Sequence, residues 1–156
     1  MRSLRFGLAA IGAAAALAVA AVGLRPAQAA DPAPVQKERL ATMKAINQAM
    51  REIKVYSGKG DFAKVAASAT QVAELTAKIP GLSPEGSNLG ETRIKPEVWK
   101  NFAHYKELAE KGVSAAKVLV QAAGKKDRAA TLKTFSDLAN ACTACHEPYR
   151  VPKKGD

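Results

Sequence analysis

The chain is poor in the residue types that build most metal and catalytic centres. Its 156 residues include two cysteines, two histidines and one tryptophan, and aromatics make up only 5%. A structural zinc site takes four ligands, and here His104 lies far in sequence from the only cysteines, Cys142 and Cys145, and from His146. That spacing argues against zinc. No alternating apolar pattern marks a strand, so the thioredoxin type of cysteine pair lacks the βαβ setting it needs. The basic residues are scattered, with no aromatic set for bases to stack on, which argues against nucleic acid. No acid occurs before Asp31, and no internal repeat is evident.

The start of the chain, MRSLRFGLAAIGAAAALAVAAVGLRPAQAAD, follows a recognisable order. Arg2 and Arg5 precede an apolar run over 7–24, and Ala27-Gln28-Ala29 is a small-x-small cleavage site. The expectation is a secretory signal peptide over 1–29, removed on export to the periplasm. A retained anchor is the competing reading, because the run approaches the ~20 residues that span a bilayer. The two arginines are separated, which excludes a twin-arginine signal. Residues 30–156 then form one domain, with no stable membrane insertion. The whole chain carries +10, and losing Arg2, Arg5 and Arg25 leaves +7. Such a charge steers a protein toward acidic partner proteins.

The rest reads as helix. Leu40, Met43, Ile46, Met50 and Ile53 recur at helical spacing in a first helix over 34–56, which Ser57-Gly58-Lys59-Gly60 should stop. Asp61 suits the cap of a second helix, with Phe62, Val65, Ala69, Val72, Thr76 and Ile79 on one face and Pro80 at its end. The connection PGLSPEGSNLGETRIK is long and irregular. A third helix should start near Pro96, carry Trp99, Phe102, Ala109, Val113, Ala116 and Val120, and end at Ala123-Gly124. Asp127 should cap a fourth, bearing Leu132, Phe135, Leu138, Cys142 and His146. Short links imply antiparallel neighbours. The expected fold is an all-α, up-down-up-down four-helix bundle whose many alanines leave interior volume for something else to fill.

Cys142-Thr143-Ala144-Cys145-His146 is the attachment signal of a c-type haem. Two thiols three apart can add to the two vinyl groups on one porphyrin edge, and the next residue, His146, is placed to coordinate iron. A local disulfide is the remaining alternative. The residues after His146 include no methionine or histidine, so a sixth ligand must come from Met43, Met50 or His104. In the bundle the start of the first helix meets the end of the fourth. Met43 lies about nine residues, ~14 Å, into that helix. Met50 is two turns deeper and suits a core methionine, while His104 should face solvent.

The stretches DLANACTACHEPYR, RLATMKAI and TRIKPEVWKNF resemble class II c-type cytochromes, the cytochrome c-prime family, over nearly the whole mature chain. The resemblance implies one covalent haem c with iron. Cys142 and Cys145 would form its thioethers and His146 would be the proximal ligand. Arg150 would lie beside the haem and Arg39 near a propionate. Met43, four residues after Arg39, would face the distal side, as in the low-spin branch. The implied function is a periplasmic electron carrier, six-coordinate through His146 and Met43, and not an enzyme. The alternative is a five-coordinate protein that binds nitric oxide or carbon monoxide. A homodimer is plausible by the same resemblance. Two departures stand out: Ser83 replaces a usual aromatic, implying a wetter pocket, and Pro148 should end or kink the last turn early.

Overall fold

The computed structural model describes residues 32–88 and 92–152; the expected signal peptide lies outside the described residues. Among the described residues five helices follow one another: α1 (Pro32–Lys59), α2 (Phe62–Lys78), α3 (Glu97–Lys100), α4 (Phe102–Gly124) and α5 (Arg128–Tyr149). The expected third helix is present as α3 and α4, broken at Asn101, whose backbone leaves the helical region at φ −139° and ψ 57°. Its side chain accepts from the His104 N–H and so restarts the helix as α4. Asp61 and Asp127 cap α2 and α5 by accepting from Lys64 and Ala130. The first turn falls later than expected. Glycine at position 58 stays helical, and Gly60, at φ 72°, makes the left-handed step. At the α4–α5 link Lys126, not Gly124, takes the positive φ of 55°.

Packing runs α1 on α2, α2 on α4 and α4 on α5, whereas α1 and α5 touch sparsely. This is the expected four-helix bundle, open along one seam. The core stripe of α1 is Thr42, Ile46, Ala49 and Ile53, rotated from the expected one. Met43 and Met50 flank it, half-buried, and Leu40 is 42% exposed. Small residues let α2 and α4 approach closely: a Cβ added at Gly112 would meet Thr76 Cγ2 at 3.4 Å. Phe102 and Leu132, both expected in the core, are exposed. Phe102 sits in the first turn of α4 and Leu132 in the second turn of α5, each close to a helix start.

Pro148 does not end α5. The helix continues through it to Tyr149, and the Arg150 N–H still donates to the His146 carbonyl at 2.9 Å. The segment before α3 supplies the missing support. Lys95 N–H donates to the Tyr149 carbonyl, Val151 N–H donates to the Arg93 carbonyl, and Ile94 bridges Arg150 antiparallel. Backbone pairing from another part of the chain thus offsets the bond that proline cannot make.

Candidate functional site

Where α1 and α5 diverge, a cavity of ≈ 490 Å³ opens, within the range of small-molecule and cofactor sites. Met43 and Met50 reach it from α1; Cys142, Cys145 and His146 reach it from α5. A spacing of seven between the methionines, and of three and four from Cys142 to Cys145 and His146, puts these residues on the inner face of each helix. Arg39 and Arg150 also line it, so the six residues that the resemblance assigned to the haem, Arg39, Met43, Cys142, Cys145, His146 and Arg150, meet at one cavity. His104 does not line it; it is exposed on α4. The sequence reading missed Thr92, Arg93, Ile94 and Tyr105, which also line the cavity. The first three lie within TRIKPEVWKNF, a segment whose place in space depends on the tail pairing described above.

Both thiols are free and half-buried, so the structure shows no local disulfide. Burial pushes the Cys142 thiol up. Burial, with Cys142 beside it, pushes Cys145 up to about 11. Both therefore stand as neutral S–H groups. His146 is pushed the other way, by burial first and then by Arg150 and Arg93. Its imidazole is held neutral, the form that ligates a metal.

Ser83 is fully buried and does not line the cavity. Its hydroxyl donates to the Ile79 carbonyl at 3.0 Å and lies 3.1 Å from the Tyr105 hydroxyl, while its carbonyl accepts from Trp99 Nε1 at 3.1 Å. Tyr105 in turn meets the Tyr149 ring edge-on, with centroids 5.3 Å apart. These two tyrosines wall one side of the cavity.

Arg39 tests what the cavity is built to take. It is only 5% exposed, and burial lowers its proton affinity. Its hydrogen-bond acceptors are neutral: the carbonyls of Leu82 and Ser87 and the hydroxyls of Ser87 and Thr92. Among the described residues no carboxylate pairs with it. Buried charges are normally compensated, and a cavity-bound group with carboxylates of its own would do so here. Neutral thiols, a neutral imidazole, an apolar wall and an uncompensated guanidinium together fit a haem.

A covalently attached haem within a four-helix bundle defines a class of c-type cytochromes. The family model described as Cytochrome C' matches residues 34–150, and the chain belongs to the cytochrome c-prime family. Proteins of this family carry one covalently attached c-type haem with iron. Cytochrome c' of Rhodospirillum rubrum is 32% identical over 129 residues, covering 80% of this chain and 87% of the relative. Cytochrome c-556 of Agrobacterium tumefaciens is 33% identical over 122 residues, covering 75% and 97%. The solved cytochrome c' of Thermochromatium tepidum superposes with a TM-score of 0.71 at 29% identity, covering 78% and 98%. A variant of the Alcaligenes xylosoxidans cytochrome c prime, solved with carbon monoxide bound, has a TM-score of 0.70 at 25% identity, covering 79% and 98%.

Proposed function

We propose that the chain is a periplasmic electron carrier and not an enzyme, with His146 holding the haem iron from α5 and Met43 holding it from α1. One observation carries this reading: Met43 lines the same cavity as Cys142, Cys145 and His146, from the opposite helix. The haem, when bound, supplies an iron that takes up and returns one electron. Around it, Cys142 and Cys145 fix the cofactor, and His146 offers a neutral nitrogen. Met43 offers a soft thioether, which favours the ferrous form and raises the potential. The apolar wall keeps water away. The basic residues at the cavity, Lys44, Arg93 and Arg150, suit an acidic redox partner. Export is supported by the family, whose members are bacterial periplasmic proteins.

A second reading has its own support, and the comparisons back it better than the first. Cytochromes c-prime are known as five-coordinate haem proteins that bind nitric oxide or carbon monoxide, and the Alcaligenes xylosoxidans variant holds carbon monoxide. The carrier reading rests instead on a residue of this chain. The visible spectrum of the purified holoprotein, in both oxidation states and with carbon monoxide, separates the two. Low-spin ferric iron that resists carbon monoxide after reduction supports the carrier. High-spin ferric iron with ready carbon monoxide binding replaces it with gas capture.

A homodimer is part of the same proposal. A solved cytochrome c', 30% identical with a TM-score of 0.72, is described as having a ligand-controlled dimer dissociation. Sedimentation of the holoprotein with and without carbon monoxide tests whether this chain behaves alike.

A further inference from the structure

Arg39 stands one helical turn before Met43 on α1. The resemblance to the family placed its guanidinium beside a cofactor carboxylate, yet both terminal nitrogens are already engaged. Nη1 donates to the Leu82 carbonyl at 2.9 Å and to Ser87 Oγ at 2.8 Å. Nη2 donates to the Ser87 carbonyl at 2.8 Å and to Thr92 Oγ1 at 3.1 Å. Gln36, one turn earlier, donates to the Ser87 carbonyl as well, at 3.2 Å. These acceptors belong to the long connection between α2 and α3, whose described residues form no helix of their own to hold it. The planar fork of arginine suits this work, because it presents several donors in fixed directions.

We infer that Arg39 is a positioning residue for the distal face: it latches the α2–α3 connection onto α1 beside the cavity and so sets how firmly Met43 can cover that face. Three features make the coupling physical. Arg39 and Met43 share one rigid helix. Arg39, Met43 and Thr92 all line the cavity. Ser83, in the latched connection, holds Tyr105 and Trp99, so a loosened connection also disturbs the tyrosine wall. A lysine at position 39 would keep the charge but could not serve four acceptors. The inference rests on the carrier reading for its effect on Met43, whereas the latch itself does not.

The experiment uses the holoprotein with Arg39→Lys, Arg39→Gln and Ser87→Ala. Two quantities are read: amide hydrogen exchange over Leu82–Asn88, and the rate at which the reduced protein binds carbon monoxide. The latch requires Arg39→Lys to behave like Arg39→Gln. Each should speed both exchange and carbon monoxide binding by about tenfold, the scale of losing one hydrogen bond to a charged group. Ser87→Ala keeps the charge and should move both quantities part of the way. If Arg39→Lys instead matches the unaltered protein in both, Arg39 acts only as a charge partner and the inference is overturned. Unchanged exchange in Ser87→Ala would overturn it as well, and that variant serves if the Arg39 variants fail to fold. An unaltered protein that is already high-spin and open to carbon monoxide marks failure of the carrier reading. Exchange alone then decides the latch: faster exchange in the variants supports it, and unchanged exchange overturns it.

Discussion

The Tyr149 hydroxyl lies 2.8 Å from Nδ1 of His104, which ties the last turn of α5 to the first turn of α4. The tyrosine is buried and the histidine exposed. The same hydroxyl also reaches the Asn101 carbonyl, at a longer 3.4 Å. His104 thus faces solvent as its sequence position implied, but it also anchors a wall of the cofactor cavity.

Removing that anchor should weaken the fold without changing the iron's ligands. Tyr149→Phe is expected to lower the holoprotein's unfolding free energy by about 1 kcal/mol, the usual net value of a hydrogen bond. His104→Ala should cost about the same, and the double variant little more, since both delete one interaction. Urea unfolding of the four proteins reads the coupling. Fully additive losses would show that the pair contributes nothing together.

Much of this site was legible because its chemistry is local. Cys142, Cys145 and His146 announce themselves by spacing, and Met43 by sitting near the start of a helix that must begin close to them. What could not be read was long-range pairing. Pro148 carries a local rule that says stop, and the rule loses to backbone hydrogen bonds that Tyr149 and Val151 make with Lys95 and Arg93, some fifty residues upstream. Ser83 stands where an aromatic is usual, and nothing local shows that Trp99 and Tyr105 reach it from α3 and α4. The stripe on α1 was misread by a fraction of a turn. Periodicity locates an apolar face, but it does not distinguish a face turned to a neighbouring helix from one turned to a cofactor.

Acid stability should depend on Arg150. Burial, then Arg150 and Arg93, depress the His146 proton affinity below the ordinary imidazole value. A depressed group contributes stability above its unfolded pKa, near 6.5, and loses it as pH falls through the lower folded value. Removing a neighbouring cation brings the folded value back up. Arg150→Gln therefore narrows the gap to the unfolded value, less stability is lost in acid, and the acid unfolding of the protein, read by its helicity, is expected to move to lower pH. A shift to higher pH would mean that Arg150 acts on the imidazole in the opposite sense.

Ser83→Ala tests the buried hydroxyl pair. The change leaves the Tyr105 hydroxyl, in a residue 4% exposed, without its bond to Ser83. The expected loss is about 1–3 kcal/mol, the penalty of an unsatisfied buried polar group. Adding Tyr105→Phe removes the orphan and should recover part of it. Thermal unfolding of the single and double variants decides: a double variant less stable than Ser83→Ala would show that the phenol contributes through something other than this bond.

The two methionines separate coordination from packing. Met43 and Met50 are both half-buried, both line the cavity and both pack against the core, so truncation should destabilise either variant. A loss of about 2 kcal/mol is expected for each, the low end for methionine to alanine because neither is fully enclosed. Only one should change the iron. Met43→Ala is expected to turn low-spin ferric haem high-spin, admit carbon monoxide readily after reduction and lower the reduction potential. Met50, two turns further along α1, should leave all three unchanged when replaced by alanine. A low-spin spectrum that survives Met43→Ala would transfer the ligand to Met50 or His104. His104 would then have to leave the Tyr149 hydroxyl and enter a cavity it does not line, so the loss of low spin in Met50→Ala would be the deciding observation.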